Sequence, residues 1–267
     1  MLKFISFGSG SSGNAYLLYT ETDGIVIDCG IGIRSMKRFM QSYGLNVSMI
    51  HNILVTHDHA DHIKSVGSIS DRLAIPVYST RTVHEGIARN WCVKKKVAPE
   101  QVRYVEKGKT QQIGDFTVTP FAVPHDSLDC VGYCVQCQGV TFTLVTDCGH
   151  ITEEIRAFVA KANYLVIEAN HELEKLMAGP YPQHLKTRIT SNTGHLSNAE
   201  CARTIVENAT EELKHVWLCH LSDENNHPEL ARIAVANEME RHGLVPGVDF
   251  IVEVLRRKIP SEIYELK

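Results

Sequence analysis

Short apolar runs separated by turn residues dominate the first third of the chain. Residues 15–19 and 25–27 are wholly apolar and 2–7 mostly so, with Gly, Ser or Asp turn residues between them, which predicts three β-strands in a meander. The period then changes: Ile33, Met36, Phe39 and Met40 recur at helical spacing, and 53–55 returns as a short buried strand. Further strands are predicted at 76–78, 116–121, 131–135, 140–145, 164–167, 216–219 and 250–254, with helices between several of them. Ser197 with Glu200 forms a capping box opening a helix to about residue 208, and Pro228 suits the first turn of a helix to about residue 241. No repeat, Pro-rich linker or composition break divides the chain. One domain over residues 1–267 is expected, with two sheets and helices packed outside them.

Composition narrows the class. The 267 residues are 43% hydrophobic and 22% charged, ordinary globular values that exclude extended disorder. The longest apolar run, residues 15–19, is far short of the ~20 needed to cross a bilayer, and no charged-then-apolar leader follows Met1. A cytoplasmic protein with no membrane partner is expected. Lys and Arg number 27 against 31 Asp and Glu, a net charge of −4, so a polyanion must be held locally rather than by a global field. Eight cysteines are too sparse for a disulfide scaffold. Cys130, Cys134 and Cys137 fall on a predicted strand where Cys134 and Cys137 point to opposite faces, which favours buried thiols over a zinc knuckle.

The strongest chemical signal is His57-Asp58-His59-Ala60-Asp61-His62, three imidazoles within six residues immediately after an apolar strand. In an extended-to-turn segment His57 and His59 project to one side, and the turn swings Asp61 and His62 toward a neighbouring point. That arrangement suits two adjacent metal ions. One loop cannot close two coordination spheres, so further ligands are expected where other strands stop. His125, Asp147 and His220 stand at such ends. Imidazole and carboxylate suit zinc, manganese and iron alike. The segment Gly8-Ser-Gly-Ser-Ser-Gly-Asn14 lacks the lysine of a P-loop; it is either a tight hairpin needing positive φ or a phosphate cradle involving Ser11, Ser12 and Asn14. Lys94 to Lys96, Lys107 with Lys109, and Arg256 to Lys258 are candidate phosphate-tracking patches or plain solvated faces.

These motifs resemble the metallo-β-lactamase superfamily: Asp28 in Ile-Val-Ile-Asp-Cys-Gly, the His57-x-His59-x-Asp61-His62 run, His125, Asp147 in Thr-Asp-Cys-Gly, and His220. The resemblance implies an α/β fold, an αββα sandwich of two mixed sheets with helices outside. It also implies two divalent ions, zinc, manganese or iron: His57, His59 and His125 on one, Asp61, His62 and His220 on the other, and Asp147 bridging. Asp28 would orient the metal loop. Aspartate at position 61, where some antibiotic-hydrolysing members carry cysteine, argues against a β-lactamase proper.

Glu168 in Val-Ile-Glu-Ala-Asn, His195 in Thr-Gly-His-Leu-Ser-Asn and His220 in Cys-His-Leu-Ser-Asp look like late motifs of the phosphodiesterase members. The 8–14 segment and His184-Leu-Lys-Thr-Arg188 are similar to the bacterial WalJ/YycJ group, regarded as DNA exonucleases. That resemblance implies a metal-dependent phosphodiesterase trimming DNA from an end, 5′ to 3′, with Asp61, His195 and Glu168 in the chemistry. His220 directly ends an apolar strand while His195 precedes a capped helix, so His220 is assigned to metal and His195 to protonating the departing sugar oxygen, with Glu168, at another strand's end, fixing its tautomer and keeping it charged. Lys186 and Arg188 are candidate phosphate contacts; in a strand they share a face, in a helix they diverge by roughly 200°. A thioester hydrolase like glyoxalase II shares the histidine loop and is the alternative. His195 and Glu168 weigh against it, because a thiolate leaving group hardly needs a protonating acid. Nothing in the sequence sets an oligomeric state.

Overall fold

The apolar runs are continuous rather than alternating because each sheet is covered on both faces. A computed structural model describes residues 1–267 and gives two seven-stranded sheets. The first holds β1 (Leu2–Gly8), β2 (Ala15–Tyr19), β3 (Gly24–Ile27), β4 (Asn52–Leu54), β5 (Val77–Ser79) and β6 (Val102–Tyr104). The second holds β7 (Gln111–Ile113), β8 (Phe116–Ala122), β9 (Val131–Cys137), β10 (Val140–Val145), β11 (Tyr164–Glu168), β12 (His215–Cys219) and β13 (Ile251–Val254); the last strand, β14 (Tyr264–Leu266), returns to pair with β1. Both sheets are mixed. The β1–β3 and β7–β10 stretches are antiparallel, while β3–β6 and β10–β13 run parallel.

Side-chain alternation sorts each strand between two layers. Leu2 and Phe4 enter the layer between the sheets, where the Phe4 ring lies 4.7 Å from Trp217 and 5.1 Å from Phe142. Ile5 and Phe7 face the opposite way, into a core shared with α1 (Ile33–Ser42), α2 (Ala60–Ile63), α3 (Val66–Leu73) and α4 (Arg81–Arg89). On the outer face of the second sheet lie α5 (Glu153–Val159), α8 (Asn198–Asn208) and α9 (Pro228–Arg241), and the loop region between β11 and α8 carries two short helices, α6 (Leu173–Ala178) and α7 (Gln183–Ile189). This is the expected αββα order.

Three strands, β6, β7 and β14, were not expected. Each has three residues and mixed polarity, too short for a period to register. Ser197 caps α8 as anticipated, accepting from the Glu200 amide. All eight cysteines are free; Cys130 and Cys134 face the outer core while Cys137 faces the inter-sheet layer, so no knuckle forms. No helix is long and apolar enough to cross a membrane.

Parallel pairing is what positions the site. The chain leaves β3 at Asp28, β4 toward His57, β10 toward Asp147, β11 at Glu168 and β12 at His220, all at the carboxyl ends of parallel strands.

Candidate metal centre

Asp28 organises the histidine loop. Its buried carboxylate accepts the Thr56 amide at 2.9 Å, the Thr56 hydroxyl at 2.9 Å and His62 Nδ1 at 2.7 Å. With its proton committed to Nδ1, His62 turns Nε2 inward, 3.1 Å from Asp147 Oδ2. Thr56 donates to Asp28 and so accepts from His57 Nδ1 at 3.0 Å, which leaves His57 Nε2 as a bare lone pair. That nitrogen is buried and has no hydrogen-bond partner. His59 is the N-cap of α2, whose single turn delivers Asp61 and His62 as the spacing anticipated.

The 8–14 segment takes the hairpin reading, and Asn14 departs from the cradle. The segment is the hairpin between β1 and β2, and Asn14 is fully buried rather than facing substrate. The Asn14 amide nitrogen lies 2.9 Å from His62 Nε2 and 3.3 Å from Asp61 Oδ2, and its backbone N–H donates to the Asp61 carbonyl at 2.8 Å. Asn14 therefore positions the loop instead of gripping phosphate. The close approach requires glycine: a Cβ on Gly30 would sit 1.6 Å from the Asp61 carbonyl oxygen. Ser9 Oγ accepts the His220 amide at 2.9 Å, tying this hairpin to the other sheet. Ser11 and Ser12 remain exposed at the tip.

The second sheet supplies its residues singly. His125 follows β8 and directs Nδ1 to the Gly194 carbonyl at 3.0 Å, so Nε2 faces His59 Nδ1 at 3.2 Å and Asp147 Oδ1 at 3.7 Å. Asp28, Asp147 and His220 adopt φ of +63°, +51° and +53°, the left-handed region that non-glycine residues rarely occupy. Such strain, held at the strand ends, bends each side chain toward one point. His220 places Nδ1 3.0 Å from Glu168 Oε1 and Nε2 3.3 Å from Asp61 Oδ2.

Glu168 stands behind His195, as its expected partner. It is fully buried, and its carboxylate accepts the Cys148 amide (2.8 Å), the Leu196 amide (3.0 Å), His195 Nδ1 (2.8 Å) and His220 Nδ1. A carboxylate so engaged positions two imidazoles and meets no substrate. The His195 side chain is 17% exposed against 4% for His220, which makes it the outer member of the pair.

Lys186 and Arg188 lie on helix α7 and so diverge. Arg188 forms a two-point pair with Asp126, at 2.5 and 3.1 Å, whereas Lys186 donates to the Met177 carbonyl. Asp126 was not anticipated. It stands beside His125 and 3.8 Å from His59 Nε2, and only its place next to His125 in the sequence hinted at it. Asp58 was passed over too; it anchors neighbouring loops through the Leu128 amide (3.3 Å) and the Asn90 side chain (2.8 Å).

Donor atoms of four overlapping groups each fall within 4.8 Å of one another: His57, His59 and His125; Asp61, His62 and His220; His57, His62 and Asp147; and Asp147, Glu168, His195 and His220. Electrostatics fit cations here. Burial, reinforced by His62, His125 and His59, holds His57 neutral, and burial likewise lowers His125. Burial opposes charge on His62, yet Asp147, Asp28 and Asp61 pull it up to about 10, so that a proton on Nε2 takes the place a metal ion would fill. Burial would raise the Asp147 carboxyl, but His220 and His62 hold it well below the usual range. For Glu168 burial is likewise outweighed, by His195 and His220, which bring it down to about 2. The orphaned His57 nitrogen and the concentrated carboxylates are what a divalent cation would satisfy.

Residues 24–220 match the family described as Beta-lactamase superfamily domain. The chain is 31% identical to Exodeoxyribonuclease YycJ of Bacillus anthracis over 262 residues, 98% of each protein. It is 33% identical to Exodeoxyribonuclease WalJ of Streptococcus pneumoniae over 250 residues, 94% of this chain and 93% of that one. Among solved structures, the metallo-beta-lactamase fold protein YhfI from Bacillus subtilis superposes with a TM-score of 0.72 at 15% identity, covering 98% of this chain and 100% of that one.

Proposed function

Because this chain belongs to the metallo-β-lactamase superfamily, we propose that it is a dinuclear-metal phosphodiesterase acting on nucleic acid, a DNA exonuclease built as one domain of residues 1–267. Relatives named exodeoxyribonucleases, aligned over nearly the whole chain, support the substrate class. The 5′ to 3′ polarity comes from the resemblance of the motifs to the exonuclease group, and the cytoplasmic setting from the sequence reading. His57, His59 and His125 would hold one ion, Asp61, His62 and His220 the other, with Asp147 between them. Divalent ions there supply charge neutralisation of the scissile phosphate and acidification of a water.

The chain's own residues do the rest. Asp28 and Thr56 lock His62 and His57 in single tautomers, and the Gly194 carbonyl does so for His125. Asp61 is the least buried carboxylate among Asp28, Asp61, Asp147 and Glu168, and its Oδ2 faces both His62 and His220. Asp61 therefore borders the space where the attacking water is oriented.

The Glu168–His195 pair is the observation that carries the phosphodiesterase reading. Nδ1–H bonded to Glu168 fixes the ring and keeps it charged, so Nε2 holds a proton for the departing sugar oxygen. An alkoxide needs that proton, whereas a thiolate or a nitrophenolate does not. His195→Ala should lose roughly 10²-fold or more on end-labelled DNA, and much less on bis-nitrophenyl phosphate, with metal content intact. Equal losses on both substrates, or a lost metal ion, would remove His195 from the acid role. Turnover of thioesters with no cleavage of DNA or RNA would overturn the nuclease reading.

A further inference from the structure

Trp91 stands out on the surface. It is 79% exposed, the most exposed large hydrophobic side chain of the protein, while the chain's other tryptophan, Trp217, is fully buried. Single exposed apolar residues are ordinary, and exposure alone would mean little. Here the turn beneath the ring is built and tied to the metal loop. Asn90 caps α4; its side-chain oxygen accepts the Cys92 amide at 2.9 Å, and its side-chain nitrogen donates to the Asp58 carbonyl at 2.8 Å. Val93, two residues on, is buried in the outer core of the first sheet. Asp58 separates His57 from His59, so chain geometry sets the Trp91 α-carbon within about 10–15 Å of the half-exposed His59.

The surroundings are apolar and cationic. Lys94 Nζ lies 5.6 Å over the Trp91 ring and has no carboxylate partner among the ion pairs, whereas Lys95 pairs with Asp71 and Lys96 donates to the Ile87 and Asn90 carbonyls. Leu128, 57% exposed, is pinned to Asp58 through its own amide and adds a second apolar side chain beside the loop. An exposed indole with an unpaired cation matches a base and its phosphate, since every base offers a π-face and every linkage a negative charge. A protein partner would favour a broader apolar patch without the lysine over the ring.

We propose that Trp91, with Lys94 over its face, is a stacking platform for an unpaired nucleobase of the strand whose phosphate enters the metal centre. The inference rests on the nuclease reading above and gives its substrate a single-stranded segment near the cut. It also explains how a chain of net charge −4 holds a polyanion: by one local aromatic and cationic contact beside the ions.

Because Trp217 is buried, quenching of the protein's fluorescence by an oligonucleotide reports on Trp91. The experiment titrates metal-loaded wild type, Trp91→Ala and Trp91→Phe into dye-labelled, hydrolysis-resistant phosphorothioate oligothymidylate, and into the same strand made abasic, with affinity read from the anisotropy of the dye and tryptophan quenching recorded for wild type. The thymidylate should quench wild type. Trp91→Ala should weaken binding by on the order of ten- to a hundredfold, and Trp91→Phe should recover most of it. The abasic strand should bind wild type and Trp91→Ala alike. Equal thymidylate affinity in wild type and Trp91→Ala, in a preparation that cleaves DNA, would overturn the platform while leaving the nuclease reading in place. Trp91-dependent quenching in a preparation that cleaves no DNA would do the reverse.

Discussion

Two buried carboxylates divide the work of the site. Asp28, just after β3, and Glu168, at the end of β11, are both fully buried and both accept from a histidine of the cluster, His62 for one and His220 for the other. They differ in the second imidazole. Asp28 spends its remaining capacity on Thr56, a group with no access to substrate, while Glu168 holds His195 at the rim. The amino-terminal half thus only holds its histidines in place; the carboxy-terminal half holds one imidazole and keeps another charged at the opening.

That contrast is breakable, and the largest effect is expected at Glu168. Glu168→Ala strands two backbone amides and two imidazoles, a cost of about 3–5 kcal/mol of the kind seen when one partner of a buried charged network is removed. DNA cleavage should fall by roughly 10³-fold, excess metal should not restore it, and thermal unfolding should show the lost stability. Asp28→Asn should act through affinity instead. It loosens His62, so metal binding should weaken by roughly 10- to 100-fold, and DNA cleavage should return when zinc or manganese is added in excess. Rescue of both variants by metal, or of neither, would erase the distinction. The smallest effect is expected at Arg188. Because its guanidinium is already paired with Asp126, Arg188→Gln should change the salt slope of DNA binding by less than the value for one phosphate contact. A full unit of slope would return Arg188 to the phosphate.

The two halves also differ in how legible they were. His57 to His62 declared itself because its members are adjacent and share one turn, so spacing alone conveys geometry. Asp147, Glu168, His195 and His220 are scattered, and became readable only because apolar runs marked where β10, β11 and β12 stop. Hidden from the sequence were contacts closed by tertiary packing: Asn14 against Asp61, 47 residues away, and Arg188 against Asp126, 62 residues away. Nothing local in Asn14 distinguishes a loop support from a phosphate ligand. Likewise the left-handed φ at Asp28, Asp147 and His220 is imposed by the site and not by any turn preference of the residue. Lys186 and Arg188 fell in a seven-residue helix too short for periodicity to declare, so which face each occupies had to come from the fold.

The two proposed ion sites would each draw two ligands from the histidine loop and one from the second sheet, joined through Asp147, which lies 3.1 Å from His62 and 3.4 Å from His220. Counting ions tests this most directly. Equilibrium dialysis against zinc or manganese, read by elemental analysis, should give close to two ions per chain, and Asp147→Ala should weaken both because their shared ligand is gone. One ion per chain at saturating metal, with an affinity that Asp147→Ala leaves untouched, would contradict it.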